Sequence, residues 1–359
     1  MKITFVINTL EVGGAAKMLK YVANITADLF DSVSIITMYD DVGDASGLNS
    51  KVDVICLGLG RLSRIKARLR MIQELREVLD KENPDYVCAF IGHVNVIARI
   101  ATMGREHLKF ISAERGDPYT QSFFWKTVTR WTYRNSDYCF FQLDGARDFF
   151  DKKTRKKSFV IPNPYIPEEH CLLYDEQRNK TIISAGRFSP EKRFDLLISS
   201  FAEIVKDYPD YKLIICGEGP LSKKYVSQAQ KLGIEDKVVF PGYVKSVSEA
   251  VRKEGIFVLS SFFEGIPNSL IEAMSVGIPC IATDCTPGGP RFLTDNGKRG
   301  ILIPVNSVMS LTRALRYLIE NPEIAAEYGK RGAEVVNILN EETIRKKWIE
   351  AFCYIIQSR

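Results

Sequence analysis

Two carboxylates, Glu264 and Glu272, lie eight residues apart around a Gly-x-Pro turn in the stretch FFEGIPNSLIEAM. Glu264 follows the apolar run GIFVLS, which predicts a loop position at the end of a strand. Glu272 falls in the second turn of a helix that we expect to have Pro267 in its first turn, on an apolar background. An acid in such surroundings needs a partner. Because a carboxylate accepts hydrogen bonds from vicinal hydroxyls, the pair fits ribose and hexose rings.

The same helix offers unpaired backbone donors. The first N–H groups of any helix have no intrahelical acceptor, and here they belong to Asn268 and Ser269. At the positive end of the helix dipole, such groups fit a phosphate. The alternative is a surface helix with one salt bridge, but the paired acids and the turn favour a ligand site.

Two cations follow the first predicted strand of the second half. The run TIISAG ends in Gly186-Arg187, and Lys192 comes five residues after the arginine. Ligands bind outside the carboxyl ends of parallel strands, so both cations are predicted to lie at the mouth of a crevice. A guanidinium fork and an ammonium group that converge there suit a diphosphate. A solvated pair of loop cations is the alternative.

Glycines interrupt the chain at further strand ends. Gly13 and Gly14 separate the first predicted strand from a helix, where small residues let backbone N–H groups approach an anion. This is half of a dinucleotide-binding fingerprint, and a tight turn explains it equally well. In the stretch FPGYV, backbone groups around Val244 are placed to read a base edge, with a simple turn as the alternative.

Short apolar runs alternate with helical stretches along the whole chain. The runs are apolar on both faces, which predicts an α/β fold of two Rossmann-like domains with parallel sheets. The stretch 161–169 (IPNPYIPEE) has three prolines in nine residues and predicts the linker. We expect domains over 1–164 and 165–338 that face each other across a cleft, and an amphipathic helix over 339–359 that returns to the first domain.

The composition is that of a globular protein of 359 residues, with 45% hydrophobic and 26% charged residues. The net charge of +5 lies in the first half, because residues 1–165 hold 24 lysines and arginines against 19 acids. No apolar run reaches the ~18 residues of a membrane span, and no signal-peptide cleavage site is found, so we expect a cytoplasmic protein. Scattered cysteines and only three histidines predict no metal site.

Taken together, these motifs resemble one known family. Gly13-Gly14, Gly186-Arg187 with Lys192, and the Glu264–Glu272 pair look like retaining glycosyltransferases with the GT-B fold (glycosyltransferase family 4, group 1 type). The resemblance covers the whole chain and is most specific in EGIPNSLIEAM. It implies a hexosyltransferase that uses a nucleotide-sugar donor, a UDP-sugar, without a cofactor or metal. The chain also lacks an Asp-x-Asp metal motif.

The resemblance implies a role for each motif position. Arg187 and Lys192 would grip the donor diphosphate, Glu264 would contact the donor sugar, and these three are the implied catalytic residues. Glu272 would hold the ribose hydroxyls. The implied donor-binding residues are Gly13, Gly14, Gly186, Val244, Asn268, Ser269 and Glu272.

The implied reaction retains configuration at the anomeric carbon. The acceptor hydroxyl attacks on the face that the nucleotide leaves, and no side-chain nucleophile is evident. Catalysis then rests on cations and helix N–H groups that stabilise the departing diphosphate, one oxygen of which takes the proton of the acceptor. Closure of the two domains would assemble the site.

One stretch departs from the family pattern. Many relatives have a histidine at the end of a first-domain strand, and here Arg115 stands in that place, between Glu114 and Asp117. We interpret these three residues as a candidate contact with the donor sugar or the acceptor. A structural ion pair between Arg115 and Asp117 is the alternative.

Basic stretches in the first half suggest a second partner. The run 61–70 has five cations on a predicted amphipathic helix, and a second cluster covers 152–157. The resemblance implies a glycan or lipid-linked acceptor, so a peripheral contact with an anionic membrane, at the inner face of the plasma membrane, is a further expectation. A solvated helix face is the alternative. No recognition motif indicates nucleic acid.

Two other functions remain open on this fold. One is a nucleotide-sugar epimerase, which would need no acceptor. The other is a non-catalytic scaffold or partner subunit, which the intact cations and acids argue against. A dehydrogenase is disfavoured because the next predicted strand, VSIIT, ends in Met38-Tyr39 and not in the acid that a nicotinamide-binding unit would have there.

Overall fold

A computed structural model describes residues 1–11, 14–39, 43–59, 65–166 and 178–358, without the side chains of 65–67. The described chain divides into two compact units. The first unit comprises 1–164 and 341–359, and the second comprises 165–340. The domain boundaries expected from the sequence were 164/165 and 338/339, so the second differs by two residues.

The first unit is built on a seven-stranded parallel sheet with the order β3-β2-β1-β4-β5-β6-β7. Every residue of the central β4 is buried, which explains why its sequence is apolar on both faces. The strands are β1 (Lys2–Ile7), β2 (Ser32–Thr37), β3 (Val52–Cys56), β4 (Tyr86–Phe90), β5 (Lys109–Glu114), β6 (Tyr138–Phe141) and β7 (Ser158–Val160).

In the described part of the first unit there are six α-helices besides the C-terminal helix (Glu341–Gln357). The C-terminal helix buries Ile344, Trp348 and Phe352 in the same core as the first helix, so its predicted return to this unit is confirmed. The other helices are α1 (Gly14–Thr26), α2 (Ile65–Glu82), α3 (Gly92–Ala101), α4 (Phe123–Arg134), α5 (Asp144–Asp148) and α6 (Lys152–Lys156).

The second unit repeats the arrangement with a six-stranded parallel sheet of order β10-β9-β8-β11-β12-β13. In both sheets the chain order reverses beside the first strand of the unit, and this switch point is where α/β folds bind ligands. The strands are β8 (Thr181–Ala185), β9 (Lys212–Cys216), β10 (Val238–Gly242), β11 (Ile256–Leu259), β12 (Cys280–Thr283) and β13 (Ile301–Ile303).

The helices of the second unit cover both faces of its sheet, as parallel crossovers require. They are α7 (Phe194–Asp207), α8 (Ser222–Lys231), α9 (Val247–Val251), α10 (Asn268–Ser275), α11 (Gly289–Leu293), α12 (Val308–Glu320), α13 (Pro322–Ala333) and α14 (Val335–Ile338). Within the described residues of both units, none of the helices combines the length and the hydrophobicity of a membrane span.

Candidate active site

A cavity of about 360 Å³ opens in the second unit where β8, β9 and β10 end. Four residues expected from the sequence line it, namely Gly186, Arg187, Val244 and Ser269. Its other lining residues are Ala185, Cys216, Gly217, Glu218, Tyr243 and Val247. The cavity therefore lies at the carboxyl edge of the sheet, where the strand-end motifs predicted a ligand.

Lys192 and Glu264 form an ion pair, although 72 residues separate them in the chain. Both side chains are more than four-fifths buried, and Ser261 Oγ donates a second hydrogen bond to Glu264 Oε1 at 3.0 Å. The pair forms because β8 and β11 are neighbours at the switch point, so the loops that follow them meet. The predicted diphosphate cation and the predicted sugar acid are thus side by side.

The loop that carries Glu264 is held by its backbone. The Glu264 N–H donates to the carbonyl oxygen of Thr286 at 3.0 Å, and the Phe262 N–H donates to the carbonyl of Glu191 at 2.7 Å. Gly289 approaches the loop so closely that a Cβ at this position would lie 1.5 Å from the Gly265 oxygen. Only glycine fits such a contact, which keeps the position of Glu264 well defined.

Helix α10 begins at Asn268, with Pro267 as its N-cap residue. The expectation that Pro267 lies in the first turn was wrong by one residue, because its ψ of 108° is extended rather than helical. No side chain caps the helix. Within the described residues, the N–H groups of Asn268 and Ser269 have no protein acceptor, so they are available as anion donors.

Glu272 lies one turn further along α10 and contacts the cavity wall. Its Oε2 accepts a hydrogen bond of 2.9 Å from the N–H of Val247, which lines the cavity. This bond places the carboxylate beside the cavity. The proposed bond to ribose hydroxyls stays a prediction.

The first-unit glycine pair is described only in part. Gly13 lies outside the described residues. Gly14 is exposed at the start of α1, and a Cβ there would meet no atom within 4 Å. Sterics therefore do not require a glycine at this position, and the donor-binding role of Gly14 stays a prediction.

Glu114 is a buried acid at the end of β5, with three hydrogen-bond donors from its own surroundings. Its Oε1 accepts from the N–H groups of Arg115 and Gly116 at 3.1 and 2.9 Å, and its Oε2 accepts from Tyr133 Oη at 3.1 Å. Burial raises the pKa of Glu114 because desolvation disfavours the charged form, against the effect of these donors.

Arg115 packs between aromatic rings. Its guanidinium carbon lies 5.3 Å from the ring centres of both Phe90 and Trp348, and Nη1 donates to Asn163 Oδ1 at 3.2 Å. Burial lowers the pKa of Arg115 to about 10, so it remains a cation at neutral pH. These contacts, rather than an ion pair with Asp117, fix the side chain, and they join β5 to the C-terminal helix.

Asp117 caps the short helical turn that follows, accepting from the Tyr119 N–H at 2.8 Å. The contacts of Glu114 and Arg115 described above are thus made with residues of the first unit. A ligand contact for this stretch stays a prediction.

Substitution of Glu114 by Gln is expected to change how stability depends on pH. The folded-state pKa of Glu114 is raised, so the unfolded chain releases this proton first as pH rises. The free energy of unfolding of the wild type should fall relative to the Glu114→Gln variant above about pH 4.3, the ordinary glutamate value. Urea unfolding between acidic and neutral pH measures the difference.

The control for this experiment is Glu106→Gln, since Glu106 is an exposed acid in the same unit. The free energy of unfolding of Glu106→Gln should stay within about 0.5 kcal/mol of the wild-type value at every pH. If the difference in unfolding free energy between Glu114→Gln and the wild type were also independent of pH, the assignment of a raised pKa to Glu114 would be contradicted.

The first unit has a cavity of its own, of about 440 Å³, beyond the carboxyl ends of β2 and β4. Helices α2, α3 and α4 supply most of its wall, which comprises Tyr39, Arg68, Met71, Gly92, His93, Ile97, Gln121, Trp125 and Thr129. The Arg68 guanidinium lies 5.0 Å from the centre of the Trp125 ring. Partial burial and the charge of Arg68 lower the pKa of His93, so its imidazole is neutral at pH 7.

Comparison with known proteins identifies the family of this chain. The model of the glycosyl transferases group 1 matches residues 174–335, which hold the second-unit cavity. The putative glycosyltransferase EpsD of Bacillus subtilis is 30% identical over 289 residues, covering 74% of this chain and 75% of that protein. The chain belongs to the group 1 glycosyltransferases. The family inferred from the sequence motifs is confirmed.

Two further similarities cover nearly the whole of this group 1 glycosyltransferase. A Campylobacter jejuni relative is 23% identical over 98% of both chains and is named GalNAc-alpha-(1->4)-GalNAc-alpha-(1->3)-diNAcBac-PP-undecaprenol alpha-1,4-N-acetyl-D-galactosaminyltransferase. The structure of Anabaena HepE in complex with UDP and glucose superposes with a TM-score of 0.77, at 17% identity over 99% of this chain and 100% of HepE. The predicted GT-B fold is confirmed.

Sequence reasoning missed two parts of these sites. Tyr243 lines the second-unit cavity with 74% of its surface exposed, but only the backbone of its stretch had been considered. His93 follows directly after β4 in the sequence FIGHVN. A polar residue just beyond a buried parallel strand is the signal that would have found it.

Proposed function

We propose that this group 1 glycosyltransferase transfers a hexose or N-acetylhexosamine from a UDP-sugar to a glycan or lipid-linked glycan, with retention of configuration. The product would belong to a surface polysaccharide, lipopolysaccharide or glycoconjugate. The observation that carries the proposal is the second-unit cavity, which combines Arg187 with Ser269 at the start of α10, a helix whose first N–H groups have no acceptor within the described residues. In the proposed complex, Lys192 would bind the donor diphosphate and its ion-pair partner Glu264 would contact the donor sugar.

The cavity suits a nucleoside diphosphate. Its lining is mainly apolar, and the exposed Tyr243 ring offers a surface on which a base can stack. Glu272, bonded to Val247 at the wall, is a carboxylate, a group that suits the two vicinal ribose hydroxyls as a hydrogen-bond acceptor. HepE, which shares the fold, binds UDP, and this supports uridine as the base.

The proposed reaction breaks the bond between the anomeric carbon and the diphosphate oxygen. A new bond forms between that carbon and the acceptor oxygen on the same face of the sugar, and the hydroxyl proton passes to the departing diphosphate. Arg187, Lys192 and the α10 N–H groups stabilise the negative charge that develops on the leaving group. Because these groups supply the positive charge, we propose that no metal is required.

The acceptor is proposed to bind the first unit. The cavity beside α2 and α4 combines an indole ring with neutral His93, Gln121 and Thr129, groups that suit sugar hydroxyls. The Campylobacter relative is named for a lipid-diphosphate-linked acceptor, which supports the same class here. Such an acceptor would hold the enzyme at the inner face of the plasma membrane.

Thermal unfolding in the presence of nucleotides tests the donor assignment. UDP at about 100 times its dissociation constant should add about 2.7 kcal/mol of stability, and the gain should persist in a chelator. In Glu272→Ala, loss of a charged hydrogen-bond acceptor should weaken UDP binding by about 10–100-fold and reduce the gain to about 0.4–1.4 kcal/mol at the same UDP concentration. GDP, ADP and CMP serve as alternative ligands.

Two variants make this test specific. Glu272→Gln keeps an oxygen that accepts from the Val247 N–H but loses the carboxylate charge. Comparing it with Glu272→Ala separates the loss of the bond to the cavity wall from the loss of ribose binding. Glu235→Gln changes an exposed acid elsewhere in the same unit and should leave the UDP gain intact. Unchanged UDP binding in Glu272→Ala would refute the ribose assignment, and activity lost reversibly with chelator would refute metal independence. Donor turnover without an acceptor would indicate an epimerase.

A further inference from the structure

The Lys192–Glu264 ion pair holds together two groups that the proposed function directs at different parts of the donor. Lys192 Nζ donates to Glu264 Oε1, and each side chain keeps less than a fifth of its surface exposed. A diphosphate that approaches this ammonium group also approaches the carboxylate, and two anions in a site with little water repel each other. Donor binding therefore requires the ammonium group to move from the carboxylate to the diphosphate.

The Lys192 side chain lies against the wall of the second-unit cavity. Gly186 lines that cavity, and a Cβ at Gly186 would be 3.1 Å from Lys192 Cε and 3.4 Å from Nζ. The backbone of Lys192 is fixed, because the buried Ser260 Oγ donates to its carbonyl oxygen at 2.8 Å. The ammonium group can thus reach the cavity by rotation of its four-carbon stem alone, while the loop stays in place.

Ser261 holds the Glu264 carboxylate independently of Lys192. Its side chain is buried, and Oγ donates to Glu264 Oε1 at 3.0 Å. The Ser261 carbonyl oxygen accepts in turn from the buried Thr283 Oγ1, which anchors this part of the loop to β12. Among the described residues, Lys192 and Ser261 are the two side chains that donate to the carboxylate. When the ammonium group leaves, the Ser261 hydroxyl is the donor that remains.

This remaining hydrogen bond matters because Glu264 is largely buried. Removal of one partner from a buried ion pair leaves an uncompensated charge, which strongly destabilises the site. A hydroxyl that donates to a carboxylate offsets part of that cost, since hydrogen bonds to charged groups are stronger than those between neutral groups. The same bond keeps the carboxylate oriented, so that it can accept from a hydroxyl of the donor sugar.

We propose that Ser261 is a positioning residue for a partner exchange in which the Lys192 ammonium group passes from Glu264 to the donor diphosphate. Before the donor binds, Glu264 competes with the diphosphate for Lys192 and so limits nucleotide affinity. After the exchange, Ser261 holds the carboxylate for the sugar. The inference rests on the proposed function for the place of the diphosphate, and it can be measured by nucleotide binding alone, without acceptor or turnover.

Calorimetric titration of the full chain with UDP tests the exchange, because two variants should change the affinity in opposite directions. Ser261→Ala should bind UDP about tenfold more weakly, since the exchange then leaves the carboxylate without a protein donor. Glu264→Gln should bind UDP about tenfold more tightly, because a neutral amide neither holds the ammonium group by charge nor repels the diphosphate. Its kcat should nevertheless fall, because the contact of the carboxylate with the sugar is lost.

Matched variants separate positioning from a general loss of structure. In a Glu264→Ala background, Ser261→Ala should change UDP affinity by less than about twofold, because Ser261 acts through the carboxylate. Ser261→Thr keeps a hydroxyl and should restore most of the affinity that Ser261→Ala loses. Ser200→Ala removes another buried hydroxyl of the second unit, which donates to the Val308 carbonyl at 3.1 Å, and it should bind UDP as the wild type does. Uridine has no phosphate, so its affinity should be equal in all of these proteins.

Three outcomes would overturn the exchange. The first is equal UDP affinity in Ser261→Ala and the wild type, and the second is a Glu264→Gln variant that binds UDP no more tightly than the wild type. The third is a parallel loss of uridine and UDP affinity in Ser261→Ala, which would make the serine a structural residue only. In each case, UDP binding and sugar transfer by the wild type would leave the proposed function standing. A wild type that binds no nucleoside diphosphate would remove both.

Discussion

Replacement of Lys192 by Met is expected to lower kcat by about 10²–10³-fold. The ammonium group lies on the loop after β8, ion-paired with Glu264 and largely removed from water. A charge in such a site acts on the departing diphosphate more strongly than a solvated one, because less water screens it. The affinity for UDP should fall much less than kcat, since Arg187 and the α10 N–H groups remain.

Two companion variants isolate the cause of this loss. Lys180→Met removes an exposed lysine that precedes the same strand and pairs with Asp210 at 3.1 Å, and it should retain wild-type kcat. Lys192→Met also leaves the Glu264 carboxylate unpaired, which by itself destabilises the site. The double variant with Glu264→Gln removes that unpaired charge. A kcat near the wild-type value in either Lys192 variant would refute the catalytic assignment.

Replacement of Trp348 by Ala is expected to destabilise the protein by about 3–5 kcal/mol. The ring is fully buried in the C-terminal helix and lies 4.6 Å from the centre of Phe140 and 6.0 Å from that of Phe352. It also covers one side of the buried Arg115 guanidinium. The substitution therefore opens a cavity and removes a cation–π partner at the same time. Urea unfolding measures the loss.

Two variants on the same helix serve as controls. Trp348→Phe keeps an aromatic ring, and the indole N–H that it gives up has no acceptor among the described residues, so we expect a loss of only about 1–2 kcal/mol. Tyr354→Ala removes a ring that is 58% exposed and should cost about 1 kcal/mol or less. If Trp348→Ala were no worse than Tyr354→Ala, the C-terminal helix would not be an integral part of the first unit's core.

The amino-acid sequence alone was sufficient for the fold class and the family. Runs such as KITFVIN and TIISAG are apolar on both faces, and only a parallel sheet covered on both sides buries them. The three prolines of 161–169 mark the passage between the units because proline supports neither a helix interior nor a central strand. The motif positions of the second unit were found because glycine, proline and charged residues interrupt that apolar pattern.

The partners of those motif residues emerged only from the tertiary structure. Lys192 pairs with Glu264, and Glu272 accepts from the N–H of Val247, because strand order places distant loops at one sheet edge. Sequence periodicity reports which face of an element is buried, but it does not report which loop lies beside it.

Arg115 illustrates the same limit in the first unit. Its neighbours in sequence left an ion pair with Asp117 as one reading, whereas the folded chain encloses it between Phe90 and Trp348, the latter from the far end of the polypeptide. Local chemistry determined which residues are candidates for binding a nucleotide sugar. Long-range packing decided which of them meet, because contacts between distant segments depend on how whole elements assemble.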